Sequence, residues 1–182
     1  LGRNIQCGNS LVGPDFAAGQ ASFLDEEEQY RVNAFDWKAA FPEVFSSLTP
    51  GPSPKGGGES KLPLPRTLRP LGEGRGEGGF DVVIGNPPYI RIQTMQEWTP
   101  SSVEYFKRAY RAASKGNYDI YVVFVEKGLG LLNPQGRLGF ILPHKFFNAQ
   151  YGQPLRELLA DGQHLARGVH FGDQQVFHGA PT

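Results

Sequence analysis

The chain has 182 residues, with 18 Lys plus Arg and 18 Asp plus Glu, so its formal net charge is zero and a strongly basic nucleic-acid-binding module is excluded. Its 24 Gly and 15 Pro make up more than a fifth of the residues, against about 12% in ordinary proteins, which predicts a non-globular segment. The single cysteine, Cys7, excludes an intramolecular disulfide and a cysteine-based zinc cluster, and we assign no metal site. The single cysteine also fits a reducing cytosol, so we expect a cytoplasmic protein. No apolar run approaches the ~20 residues of a membrane span, so we expect no membrane partner.

The excess of glycine and proline lies in residues 46–79. These 34 residues hold 9 Gly and 6 Pro and contain no aromatic residue, Ile or Val. So little apolar surface cannot offset the cost of ordering the backbone, which is about 1–2 kcal/mol per residue. We therefore predict a disordered insert at 46–79, which divides one domain into an N-terminal part at 1–45 and a second part at 80–182.

Strands and helices are predicted to alternate outside this insert. Residues 3–7 are a possible short strand that ends at Gly8-Asn9-Ser10. Residues 80–85, FDVVIG, are a β-branched run typical of a parallel strand covered on both faces. Thr99-Pro100 then predicts the start of a helix, because proline is favoured at the first helical position and apolar residues follow at helical spacing.

The second half of the chain continues this alternation. A helix is predicted from near Asp119, with Phe124 on its apolar stripe, to the turn residues at 133–136. Residues 138–142 predict the next buried strand, 153–160 another helix and 165–171 a weaker strand. This order predicts an α/β fold with an open, mostly parallel sheet and helices on both faces.

The tetrapeptide Asn86-Pro87-Pro88-Tyr89 follows the first of these strands, where parallel sheets bind their ligands. The prolines have no N–H, so the backbone offers only carbonyl oxygens there. Asn86 adds a side-chain carbonyl oxygen, and Tyr89 adds a flat ring with a polar tip. Such a set suits a planar amine whose N–H groups need acceptors. The tetrapeptide by itself is equally compatible with a stiff turn after a strand.

Methyl transfer to an aromatic amine needs this arrangement. The lone pair of adenine's amino nitrogen is delocalised into the ring, and two acceptors on its hydrogens favour a pyramidal nitrogen that can attack a methyl sulfonium. Positioning and electrostatics then supply the rate enhancement, and no strong base is needed before the attack.

Several segments, in order, resemble the adenine-specific, amino-methylating DNA methyltransferases, especially the gamma-type enzymes and the single-chain restriction-modification proteins of the Eco57I kind. FDVVIGNPPYIR resembles their catalytic motif, GNYDIYVVFVEKGLGLLNPQGRLGFILPHKFF the helix and strand after it, and FGDQQVFHGAPT their target-base motif. IQCGNSL resembles the end of their third strand, and FDWKAAFPEVF joins directly to GGFDVVIGNPPY once the insert is removed. The resemblance covers nearly all of the chain except 46–79. It implies a partial Rossmann-like, class I methyltransferase fold that uses S-adenosylmethionine.

The resemblance also implies a role for individual residues. Asn86 and the Pro87 carbonyl would accept hydrogen bonds from the amino group of an adenine flipped out of double-stranded DNA, while Tyr89 stacks on that base. Phe177 would pack against the same base, although a core position is an equal alternative. Asn9, where the family often has Asp, would meet the adenine of S-adenosylmethionine. Phe124 would line that adenine pocket, and its place on an apolar stripe is also compatible with the core.

Three interpretations follow from the sequence. The resemblance favours a fragment of a DNA adenine methyltransferase from a restriction-modification or phage-defence system. The family's glycine-rich cofactor loop would precede Gly8 and its target-recognition domain would follow Thr182, so we expect no methylation by this chain alone. The alternatives are a glutamine methyltransferase of proteins, which also uses NPPY, and a decayed non-catalytic remnant.

Overall fold

The structure, a computed structural model, describes residues 4–19, 26–45 and 78–172. The predicted insert, except Gly78 and Gly79, and the predicted base-contacting residue Phe177 lie outside the described residues. The regular elements are, in chain order, α1 (Glu26–Val32), α2 (Trp37–Ala40), α3 (Pro42–Phe45), β1 (Phe80–Gly85), α4 (Ile92–Trp98), α5 (Pro100–Ala109), α6 (Tyr121–Gly130), β2 (Leu132–Phe140) and α7 (Gln153–Asp161). Short 3-10 helices span Pro14–Gly19, Arg111–Ala113, His144–Phe147 and Gln150–Gly152.

The two strands are neighbours and run parallel, with α4, α5 and α6 in the crossover between them. Phe80 pairs with Leu132, and the register then jumps so that Val82 pairs with Arg137. The four predicted turn residues at 133–136 therefore lie opposite the single residue Asp81, and they bulge out of the strand instead of preceding it. The observed strand β2 therefore begins six positions before the predicted one, whereas β1 is confirmed at its predicted position.

Helix α6 packs directly on β2 and fills the centre of the core. Tyr121, Val122, Val123 and Val125 are all buried, so the helix is apolar on more than the one stripe that its sequence predicts. A Cβ atom added at Gly128 would lie 2.8 Å from Leu138 Cδ1, which shows how closely helix and strand approach.

Helix α5 connects the core to the N-terminal segment. It begins with Pro100 at its first turn, as predicted, and buries Val103 and Phe106. The Tyr110 hydroxyl donates a buried hydrogen bond to the Leu11 carbonyl. This bond joins residues 99 positions apart, and so fixes the N-terminal segment against the part of the domain after the insert.

The described residues on the two sides of the predicted insert lie next to each other. The Gly79 N–H donates to the Val44 carbonyl at 3.0 Å. A Cβ atom added at Gly78 would lie only 3.0 Å from Phe45 Cα. The Phe80 ring packs edge-on against Trp37, Phe41 and Phe45, with centroids 5.4–5.8 Å apart. The chain therefore enters β1 from beside the end of α3, which is the geometry that a join across the insert requires.

The sheet is smaller than predicted. In the described parts of residues 3–7 and 165–171 no strand forms, because neither segment has a neighbouring strand to pair with there. The prediction that β1 is covered on both faces is also wrong, since Val82 is 55% exposed and Ile84 is 80% exposed. The observed architecture is a mixed α/β fold around a two-stranded parallel sheet. Within the described ranges, no helix is both long and apolar enough to span a membrane.

Candidate active site

The tetrapeptide Asn86-Pro87-Pro88-Tyr89 directly follows β1, at the carboxyl end of the parallel sheet. Pro87 is buried and anchors the turn, whereas Asn86, Pro88 and Tyr89 are exposed. The backbone after the tetrapeptide is held by the segment that precedes α6, since Ile120 N–H donates to the Ile90 carbonyl at 2.8 Å. The motif is therefore fixed on one side by β1 and on the other by the start of α6, while Asn86 and Tyr89 stay open to solvent.

The Tyr89 side chain links the ends of both strands. Its hydroxyl lies 2.8 Å from Asn86 Oδ1 and 3.2 Å from the carbonyl oxygen of Ile141, the residue just after β2. Its ring meets the Tyr121 ring edge-on with centroids 6.4 Å apart, and the residue is 37% exposed. Partial desolvation raises the pKa of the Tyr89 hydroxyl from its ordinary value of 10.0, which already lies well above neutral pH, so the hydroxyl carries a proton to donate.

A second group of hydroxyls lies beside this motif. Tyr121 Oη lies 3.0 Å from Tyr151 Oη, and Tyr151 in turn donates to Asp119 Oδ2 at 3.2 Å. Burial raises the pKa of both tyrosines. This network connects the 3-10 helix Gln150–Gly152 to the start of α6, and so supports the ring that packs against Tyr89. The sequence offered no signal for Tyr121 or Tyr151, because their partners are 30 or more positions away.

The predicted cofactor residue Asn9 lies in the N-terminal segment. Its backbone N–H donates to the Asn33 carbonyl at 2.7 Å, and its Oδ1 accepts from the Leu11 N–H at 3.3 Å. An isolated parallel bridge pairs it with Ala34, so Asn9 belongs to a single bridge and not to the end of a strand. Its side-chain oxygen thus shapes the local turn.

Phe124 lies one turn after Tyr121 on α6. It is half-buried and packs against the hydrophobic core, which is the position that the apolar stripe of α6 predicts. Phe177 is outside the described residues. Among the residues that the structure describes, no three or more His, Cys, Asp or Glu side chains gather into a group that could hold a metal ion.

The family model of the Eco57I restriction-modification methylases matches residues 3–177. The Type II restriction enzyme and methyltransferase RM.Eco57I of Escherichia coli is 38% identical over 103 residues, which are 57% of this chain and 10% of that protein. The Type II methyltransferase M.PaeR7I of Pseudomonas aeruginosa is 39% identical over 102 residues, 56% of this chain and 17% of the relative. The Type II methyltransferase M.XhoI of Xanthomonas vasicola is 40% identical over 101 residues, 54% of this chain and 17% of the relative.

The chain therefore spans less than a fifth of the length of these relatives. No solved structure matches it significantly. The match of the family model nevertheless extends across the N-terminal segment, the strand, the NPPY turn and the helices after it. Since it covers almost the whole sequence, and the turn occupies the carboxyl end of the sheet as the resemblance implies, the chain belongs to the Eco57I restriction-modification methylase family.

Proposed function

We propose that the protein carrying this chain is an adenine-specific DNA methyltransferase of a restriction-modification or phage-defence system. It transfers a methyl group from S-adenosylmethionine to the amino group of an adenine flipped out of double-stranded DNA, in the cytoplasm. The observation that carries this proposal is the NPPY turn at the carboxyl end of β1, with Asn86 and Tyr89 exposed and joined by a hydrogen bond. The family membership and the methyltransferase names of the relatives support it.

The proposed mechanism follows from the chemistry of the turn. Asn86 Oδ1 and the Pro87 carbonyl accept the two N–H groups of the target amine, which pyramidalises the nitrogen and directs its lone pair out of the ring plane. Tyr89 stacks on the base, and Phe177 packs against it from another side. Once the nitrogen has formed its bond to the methyl group, it would be cationic and acidic and would give one proton to water, so a neutral acceptor set is sufficient.

Asn9 and Phe124 are the proposed contacts to the cofactor's adenine. S-adenosylmethionine supplies an electrophilic methyl group when it is bound. Since Asn9 Oδ1 accepts from Leu11 N–H, the amide's NH2 group is the end that can donate to a ring nitrogen. The half-buried ring of Phe124 suits a planar base. These residues fit an adenine-containing ligand, and the small sheet that carries the turn fits part of a Rossmann-like methyltransferase domain.

To test the proposal, the longest natural protein that carries this chain is incubated with labelled S-adenosylmethionine and with either double-stranded DNA or a glutamine-containing protein substrate. We expect label on DNA, and loss of at least about a hundredfold in rate for Asn86→Ala, because removing one group that stabilises the transition state typically costs this much. Asn133→Ala is the matched control, since Asn133 bonds to Asp81 near the opposite end of the sheet. Label on protein alone would establish the glutamine methyltransferase alternative.

The remnant interpretation makes a separate prediction. If the longest natural protein that carries this chain is non-catalytic, it would label neither DNA nor protein. This chain spans less than a fifth of the length of the relatives reported above, so an absence of labelling by the chain alone would not separate the two interpretations. Only the longer form therefore distinguishes an enzyme from a remnant.

A further inference from the structure

The Tyr89 hydroxyl has one proton and two acceptors within reach. Asn86 Oδ1 is 2.8 Å away and the Ile141 carbonyl oxygen is 3.2 Å away, and the two belong to the ends of different strands. The ring alone would be sufficient for stacking on a base. The hydroxyl therefore makes contacts that stacking does not need, and one of them is to the side chain that is proposed to accept from the substrate.

We propose, on the basis of the proposed function, that the Tyr89 hydroxyl is a positioning group that holds the Asn86 side chain with its carbonyl oxygen at the reactive edge of the sheet. An exposed asparagine amide is otherwise free to rotate, and its NH2 end would repel the N–H groups of a target amine. The shorter of the two distances from the hydroxyl is to Asn86 Oδ1, which makes that oxygen the preferred acceptor of its proton.

The hydrogen bond does not use up the acceptor. An amide oxygen has two lone pairs, so Asn86 Oδ1 can accept from Tyr89 and from a substrate N–H at the same time. The Ile141 carbonyl gives the hydroxyl a second anchor at the end of β2, which keeps the Tyr89 side chain between the two strand ends. Ring and hydroxyl thus have separate tasks: the ring contacts the base, and the hydroxyl orients the side chain that contacts the amine.

The variant Tyr89→Phe separates these tasks, because it keeps the ring and removes the hydroxyl. In a protein that methylates DNA, we expect kcat to fall roughly threefold to tenfold, as the loss of one hydrogen bond implies, while KM for DNA changes less than twofold. Tyr30→Phe is the control, since Tyr30 is 88% exposed on α1. An unchanged kcat in Tyr89→Phe would overturn the proposal.

A second measurement is independent of activity and uses the chain as it is. The side-chain amide of Asn86 gives its own pair of ¹H–¹⁵N NMR signals. We expect Tyr89→Phe to shift these signals and to reduce the order of the amide, while the side-chain signals of Asn133 stay in place. Unmoved Asn86 signals would overturn the proposal. If the longer wild-type protein methylates nothing, the proposed function fails, and the NMR comparison still decides whether Tyr89 orients Asn86.

Discussion

Tyr105 holds the N-terminal segment that carries Asn9. Because its hydroxyl is buried and hydrogen-bonded, we expect the domain to lose stability when this hydroxyl ionises at alkaline pH. The hydroxyl accepts from the Gly13 N–H at 3.1 Å and donates to Asp15 Oδ1 at 2.8 Å. The residue is 6% exposed, and its ring packs edge-on against the Phe16 ring with centroids 5.7 Å apart. Burial, together with the hydrogen bond to Asp15, raises the pKa of Tyr105 from 10.0 to about 12.

Because the folded protein holds the proton more tightly than the unfolded chain, the stabilisation is fully present below pH 10 and is lost as the pH rises through about 12. For pKa values of 10 and about 12, proton linkage gives a loss of about 1.3 kcal/mol between pH 9 and pH 11. The full loss, reached only above pH 12, is about 2.7 kcal/mol, or 1.36 kcal/mol per pKa unit.

Urea denaturation of the wild type and of Tyr105→Phe at pH 9 and pH 11 measures how much stability is lost when Tyr105 ionises. We expect the free energy of unfolding to fall about 1.3 kcal/mol further in the wild type than in the variant. Burial also raises the pKa of Tyr118 and Tyr121, and their contributions cancel in the difference because both proteins contain them. Equal losses in the two proteins would refute the assignment of the Tyr105 hydroxyl as a buried, protonated anchor.

Two further predictions concern the packing of the domain. The first replaces residues 46–77, the part of the predicted disordered insert before Gly78, with a four-residue Gly/Ser linker. This removes about three doublings of loop length, so the free energy of unfolding measured by chemical denaturation should rise by about 2 kcal/mol. A fall in the free energy of unfolding would identify the insert as a structural part of the domain. Gly128→Val would place its Cβ 2.8 Å from Leu138 Cδ1 and 3.3 Å from Phe140 Cζ, so we expect a destabilisation of about 1–3 kcal/mol by thermal denaturation. Gly130→Val, at a position with no atom within 4 Å of an added Cβ, is the control, and equal effects of the two changes would contradict the close approach of α6 to β2.

The sequence predicted the start of a helix or strand correctly where the residues of that element determine it by themselves. Thr99-Pro100 marked the start of α5, and the β-branched run marked β1. The turn residues at 133–136 were recognised, but they form a bulge within β2 because Leu132 already pairs with Phe80. Only the partner strand reveals that pairing, so the sequence placed the start of the strand too late.

Helices α1 and α4 and the short α2 and α3 were not predicted. The α1 segment, EEEQYRV, buries only Val32, and α4 buries only Ile92, so neither has an apolar stripe to detect. In the opposite direction, residues 165–171 alternate in a way that favours a strand, yet a strand forms only where a neighbouring chain segment supplies its hydrogen bonds. The sequence cannot report whether that neighbour is present.

In the candidate site, too, local features could be predicted from the sequence, whereas contacts with distant residues could not. The sequence predicted that the NPPY turn lies at the carboxyl end of a parallel strand, and this placement is confirmed. The contact of Tyr89 with the Ile141 carbonyl could not be predicted, because a backbone oxygen has no sequence signal and its position depends on the register of β2. The roles of the NPPY residues toward a target base stay predictions, as do the roles of Asn9, Phe124 and Phe177.

The central claim is that Asn86 presents its oxygen to the amino group of adenine in DNA. Its most direct test is nucleoside analysis of DNA after incubation with S-adenosylmethionine and the longest natural protein that carries this chain. We expect N6-methyladenine with the wild type and its loss with Asn86→Ala, while Asn133→Ala retains it. Methylcytosine as the product, or N6-methyladenine at the wild-type level with Asn86→Ala, would contradict the account.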